Sequence, residues 1–351
     1  MKSCGSGETS MDNPSIDKIG RHIRLAHGNG GRHMRELIDH LFKRMLGNRF
    51  LDIQADASTV PLDQNEIVVT TDGYTVQPLE FPGGDIGSLA VHGTVNDLAV
   101  AGARPIYLTL NVFIEEGFET AVLERIISSM AAAARDAEVS IVAGDTKVVR
   151  RGEGGGLYLA TSGIGYRDTP HRLGMEQIKE GDAILLSGPV GDHGAAVMLA
   201  REQFGLHGKL RSDTGSVLPL SSTLLPLPGL RFMRDPTRGG LATVANEITR
   251  ATGLGICLYD AQIPVRDTVR SMCEILGYDP FYLACEGRVI AVMEPRQAQH
   301  ALDLWHTIAQ GQQATVIGHI NGPSPHVVLE TELGGQRILG ELEDDPLPRI
   351  C

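Results

Sequence analysis

Five aspartates stand in short polar runs of this chain: Asp56 in QADAST, Asp72 in TTDG, Asp97 in TVNDLA, Asp145 in AGDTK and Asp235 in RDPTRGG. All but Asp97 fall at apparent strand ends or turns, and Asp97 shares a helix with Asn96. A carboxylate on an apolar element is costly to bury without a partner. Magnesium carried by nucleotide phosphates is such a partner, because it takes a few carboxylates together with phosphate oxygens. Singly, each aspartate reads as a cap or turn residue; as a set they outline a metal–nucleotide site. Lys147 follows in GDTKVV, where an ammonium can neutralise charge developing on a transferring phosphoryl group, or can simply be a surface lysine. Glu286 lies in LACEGRV, an apolar setting that suits a proton acceptor or donor. An ion pair with Arg288 is the plainer alternative.

Backbone groups offer a second kind of chemistry. HGNGGRHM places Gly28, Gly30 and Gly31 before an apparent helix, so that N–H groups can approach a phosphate, although a flexible turn has the same composition. The sequence has no phosphate-loop signature of the G-x-x-x-x-G-K-[ST] kind, no kinase catalytic loop and no G-x-S-x-G elbow, so any nucleotide is held by another design. The histidines show no zinc-binding spacing, and His193 in GDHG reads as a turn residue. The chain closes on PLPRIC. A thiol there, Cys351, on a segment carrying Pro346 and Pro348, is easily oxidised and awkward to bury, and reads as a group placed to be handed something.

The elements that must position these groups follow from periodicity. NEIVVTTDG, RPIYLTLNVFI, SIVAGDTKVV and GGLYLATSGIGY read as strands. IGSLAVHGTVNDLAVAGA and TAVLERIISSMAAAARDA read as helices, the second with Thr120 as its N-cap. A link, RDTPHRLGMEQIKEGD, leads to a second set: AILLSGPVGDHGAAVMLAREQFG as strand, turn and helix, GGLATVANEITRATG as a helix, and VIAVM and ATVIGHI as strands. These elements predict two α+β domains. Their expected limits are 19–168 for an N-terminal domain and 169–334 for a C-terminal domain. A disordered segment at 1–18 and a mobile tail at 335–351 flank them.

A formal charge of −12 argues against nucleic-acid binding, and no apolar run is long enough to cross a bilayer. The five cysteines, Cys4, Cys257, Cys273, Cys285 and Cys351, form no C-x-x-C pair and predict a reducing cytoplasm. Cys257, Cys273 and Cys285 read as small buried hydrophobes.

In order, HGNGGRHMRELI, TTDGYTVQPLEFPGGDIGSLAVHGTVNDLAVAGARPIYLTL, IVAGDTKVVRRG, GDHGAAVMLARE, DPTRGGLATVANEI, ACEGR and PRIC resemble the HypE family of hydrogenase maturation factors, which are carbamoyl dehydratases. The resemblance covers nearly the whole chain after about the first fifteen residues. The wider superfamily is similar to aminoimidazole ribonucleotide synthetase and selenophosphate synthetase, so the resemblance implies a PurM-like α+β architecture with a flexible C-terminal tail. It also implies ATP and Mg2+, with nucleotide contacts from Gly28, Gly30, Gly31, Asp72, Asn96, Asp97, Asp145, Thr146, Asp235, Gly239 and Gly240. Metal contacts would come from Asp56, Asp72, Asp97, Asp145 and Asp235. The implied catalytic residues are Cys351 as carrier, Lys147 and Glu286. The implied partners are the carbamoyltransferase HypF, the HypC–HypD iron scaffold and a second copy of the chain. Two other readings remain at this level: a synthetase of the same superfamily acting on a free small molecule, and a non-catalytic thiol metal carrier. An extended segment from Arg337 to Cys351 spans on the order of 45–50 Å, enough for the thiol to enter its own domain's cleft or meet a partner.

Overall fold

The computed structural model of the chain describes residues 18–28, 32–51, 60–62, 66–167, 173–201, 210–331 and 333–341. The first half builds β1 (Ile67–Tyr74), the short hairpin β2 (Glu80–Phe81) and β3 (Gly84–Asp85), β4 (Arg104–Glu115), β5 (Ser140–Val149) and β6 (Leu157–Tyr166). The four long strands form one sheet in the order β1-β6-β4-β5, leaving β1 and β5 as its edges. Along β6, side chains alternate between buried and half-exposed, so Leu157, Leu159 and Thr161 face the interior.

Helices α1 (Ile86–Val100) and α2 (Thr120–Asp136) cover that inner face. Asp85 caps α1: its Oδ1 accepts from the N–H groups of Gly87 and Ser88 at 2.7 and 2.9 Å, while Ser88 Oγ accepts from Asp85 N–H. Helix α1 is apolar on nearly every side because it is enclosed, by the first sheet on one side and by the second half of the chain on another. Gly87 permits its close crossing with α2, since a Cβ there would stand 2.3 Å from Ile126 O. Thr120 departs from its expected role. It is the first residue inside α2 rather than the cap, and its hydroxyl donates to Gly20 O at 2.6 Å, tying the N-terminal segment to the helix.

The second half contributes β7 (Ala183–Leu186), α3 (Asp192–Ala200), α4 (Leu218–Leu224), β8 (Leu230–Arg234) and α5 (Gly240–Thr252). It continues with β9 (Leu254–Tyr259), α6 (Asp267–Leu276), β10 (Ile290–Met293), α7 (Pro295–His306), β11 (Thr315–Pro323), β12 (Val327–Glu330) and β13 (Gln336–Ile338). Its seven strands run in the order β13-β12-β9-β11-β7-β10-β8. Helix α5 packs Leu241, Val244 and Ile248 on one face, and α4 and α7 cover the other with Leu220, Leu224 and Trp305.

Two local expectations change. His193 is no turn residue: it lies in the first turn of α3, buried, with Nδ1 2.9 Å from Ser212 Oγ. Residues 336–338, expected in the tail, pair with Val328–Glu330 instead. Leu339, an apolar side chain with a core to enter, is fully buried behind them.

Candidate active site

Glu286 follows the turn Pro280–Tyr282 and precedes β10. Its backbone is fixed from three directions. Its N–H donates to Asp213 Oδ1 at 3.1 Å, and its carbonyl accepts from Gly215 N–H at 3.3 Å and from Asn96 Nδ2 at 3.2 Å. Only glycine fits at 287, because a Cβ would lie 1.9 Å from Asp213 O. The Glu286 residue is 3% exposed, and its carboxyl has no hydrogen bond among the described residues. Burial, then the charges of Asp235, Asp213, Asp72 and Asp97, push its pKa well above the usual carboxylate range. The alternative pair with Arg288 does not form. Arg288 turns to Asp192 and Asp213, at 3.5 and 3.4 Å, because those two carboxylates lie on the opposite side of the Gly287 bend.

The groups facing Glu286 come from three elements. Asp235 directly follows β8, and burial, then Asp97, raises its pKa to about 7. Asp97 projects from α1 and accepts from Thr70 Oγ1 at 2.7 Å; burial again raises it, with Asp72 adding to the effect. Asp72 lies inside β1 and not at a strand end. Asp97 and Asp235 border a cavity of about 500 Å³ whose walls include Val68, Leu98, Leu173 and Phe232. Gly239 and Gly240, both at positive φ, let the start of α5 approach the carbonyls of Phe281 and Leu283 just upstream of Glu286. Asn96 is fully engaged by main chain, donating to Gly215 O and accepting from Val217 N–H at 2.8 Å, so it positions loops and has no free group for a ligand.

Asp145 and Lys147 stand apart from this cluster. They pair with each other at 3.1 Å on β5, half or more exposed, while Thr146 between them turns inward. Asp145, like Asp72, is inside a strand. The register Asp72↔Thr161↔Leu110↔Gly144 puts Asp72 on the helix-covered face and Asp145, one residue on, on the open face. With β1 and β5 at opposite edges, roughly 14 Å also separates the two strands. Gly28 ends the turn Leu25–Gly28, which packs along β5 and therefore belongs with Lys147. Asp56, Gly30, Gly31 and Cys351 lie outside the described residues.

Among the described residues no three His, Cys, Asp or Glu side chains close around a position that could hold a metal by themselves. The described cysteines are poor nucleophiles. Burial raises Cys257 and Cys285, and pushes Cys273 up to about 12. Sequence reasoning missed Asp213. Nothing in RSDTGSV marks a carboxylate whose side chain ends 2% exposed between Arg288 and the Glu286 backbone.

The two α+β halves coincide with the two domains of the AIR synthase related proteins. The chain matches the N-terminal domain of that family over residues 54–166 and the C-terminal domain over 179–329. Thiamine monophosphate kinase of Aquifex aeolicus shares the fold, with a TM-score of 0.60 at 17% identity over 86% of this chain and 97% of that one. Within this class the similarity is to HypE. Carbamoyl dehydratase HypE of Azotobacter vinelandii is 45% identical over 96% of this chain and 99% of its own length, and that of Escherichia coli is 41% identical over 94% and 99%. A crystal structure of HypE in complex with ATP superposes with a TM-score of 0.89 at 42% identity, covering 93% of this chain and 99% of that one. A HypE–HypF complex gives 0.76 at 42% identity, covering 86% and 98%. The chain belongs to the HypE family.

Proposed function

We propose that the chain converts an S-carboxamide on Cys351 to a thiocyanate at the expense of ATP, supplying the cyano ligand of hydrogenase iron, with HypF as carbamoyl donor and HypC–HypD as acceptor. The observation that carries this reading is Glu286: a buried carboxyl without a cation, of raised pKa, under the charges of Asp235, Asp213, Asp72 and Asp97. The chemistry needs such a group. The carboxamide oxygen attacks the γ-phosphorus of ATP, releasing ADP. The C–O bond then breaks, the oxygen leaves with phosphate, and the nitrogen loses both hydrogens to give C≡N. One proton departs on the phosphate and the other needs an acceptor, which Glu286 provides. Its raised pKa keeps it basic enough to hold that proton.

Asp72, Asp97 and Asp235 are the residues that would hold Mg2+. Their mutual repulsion would be relieved by a divalent cation, and since they do not enclose an ion by themselves, phosphate oxygens and water would complete its coordination. Bound there, the ion would neutralise phosphate charge. Lys147 has the same task at a developing phosphoryl charge, but belongs to the far edge of the sheet. A homodimer resolves that separation. The open face of the first sheet exposes Val69 at 61% and Phe113 at 40%, and both its edges are unpaired among the described residues. Two copies joined face to face and edge to edge bring β1 of one beside β5 of the other, and so Asp72 beside Asp145 and Lys147. Such an assembly suits the cytoplasm, where the thiol of Cys351 stays reduced.

Intact-protein mass spectrometry tests the reading. After incubation with the HypF system, the chain should gain a carbamoyl group and lose the mass of one water only with hydrolysable ATP. Cys351→Ala should show neither change. An adduct indifferent to ATP would leave a thiol carrier.

A further inference from the structure

The segment 210–217 carries none of the motifs above, yet it is wedged between the groups that matter. On its N-terminal side Ser212 N–H donates to Pro82 O at 2.7 Å, and Gly83 approaches so closely that a Cβ would stand 2.7 Å from Ser212 N. At its far end Asn96, from α1 of the first domain, grips Gly215 O and Val217 N–H. Between these points Asp213 reaches Glu286 N–H with Oδ1, and its Oδ2 lies 3.4 Å from Arg288 Nε. Asp213 also lines a second cavity, of about 950 Å³, with Asp192, Arg266 and Arg288.

Resting on the reading of Glu286 as proton acceptor, we propose that Asp213 is its positioning residue. It holds the backbone of the base in register with the first domain and sets a second carboxylate behind it. The hydrogen bond fixes where Glu286 stands, and the placement of a reacting group governs the rate of its step. Arg288 holds the other carboxylate oxygen of Asp213, so the residue is fixed on both sides.

Asp213→Asn keeps an oxygen that accepts from Glu286 N–H, whereas Asp213→Ala removes it. Single-turnover loss of water from the carbamoylated chain, followed by mass spectrometry at one pH, reads the difference. Asp213→Ala should lower that rate by at least about tenfold while carbamoylation of Cys351 stays intact, and Asp213→Asn should restore it to within about threefold of the wild type. A wild-type rate in Asp213→Ala, or an Asp213→Asn as slow as Asp213→Ala, overturns the proposal. Glu286→Gln in the same series separates the two levels: activity in that variant overturns the assignment of the base, whereas an inactive Glu286→Gln with a wild-type rate in Asp213→Ala overturns the role of Asp213 alone.

Discussion

Asp145 and Asp235 are the same residue type in equally glycine-rich surroundings, yet they stand in opposite physical states. Asp145 is half exposed and paired with Lys147 on the open face of a sheet. Asp235 is buried, faces other acids, and has its pKa raised to about 7. The edge of the first sheet supplies a ready-made ion pair that loses little by exposure to water. The cleft gathers like charges that are strained until something positive arrives. On the proposed reading the first lends charge to a neighbouring copy, and the second receives a cation and a proton.

The comparison breaks most severely at Glu286. Glu286→Gln should accept the carbamoyl group and then lose about 10²–10⁴-fold in dehydration, the range for a missing general base; a normal rate of thiocyanate formation would remove it from the chemistry. Next comes the separation of the two regions. If Lys147 serves the cleft of the other copy, mixing the inactive variants Lys147→Ala and Glu286→Gln should restore about a quarter of wild-type activity, because half of the dimers are mixed and each has one intact site. Absence of recovery under conditions that exchange subunits would place both residues in one copy's site. A smaller effect concerns Asp235. Protonated below about pH 7, it cannot serve a cation, so Mg2+-dependent ATP affinity by calorimetry should rise several-fold between pH 6 and pH 8. Asp235→Asn should be weak and flat across that range. The smallest is in stability. The folded-state pKa of Asp235 exceeds its unfolded value, so this group's contribution declines as pH rises toward about 7 and is constant above it. The nucleotide-free protein should therefore gain a few degrees in Tm at pH 8 on Asp235→Asn, and a lower Tm there would contradict the buried repulsion.

Much of this was legible in the sequence because it is local. The four long strands and two helices of the first half, β7, α3, α5, β10 and β11 of the second, and the buried cysteines follow from periodicity and composition, whereas the Asp85 cap of α1 was not read. The faces of the aspartates were not legible. Asp72 and Asp145 both read as turn residues, but each lies within a strand, and which face it takes depends on partners and on a register shift between Leu108 and Thr109. Arg288, two residues from Glu286, looked like its partner, yet the bend at Gly287 and two distant aspartates decide otherwise. Asp213 was invisible because long-range packing, rather than any neighbour in sequence, buries it.

The anchoring of the chain at Leu339 and Gly340 has a kinetic consequence. Leu339 N–H donates to Val327 O at 2.9 Å, Asn246 Nδ2 to Leu339 O at 3.0 Å, and Tyr282 OH to Gly340 O at 2.8 Å. Tyr282 belongs to the segment that leads into Glu286, so Gly340 and Glu286 are held by one short stretch of chain. From Gly340 to Cys351 the covalent backbone can extend no further than about 40 Å. Confining one thiol to a sphere of that radius is equivalent to a standing concentration of a few millimolar. On the proposed reading, a group carried by the thiol is supplied to the cleft at that level even when the protein itself is scarce. A cleft so supplied needs only millimolar affinity for its cargo, and such loose binding lets a finished product leave again quickly.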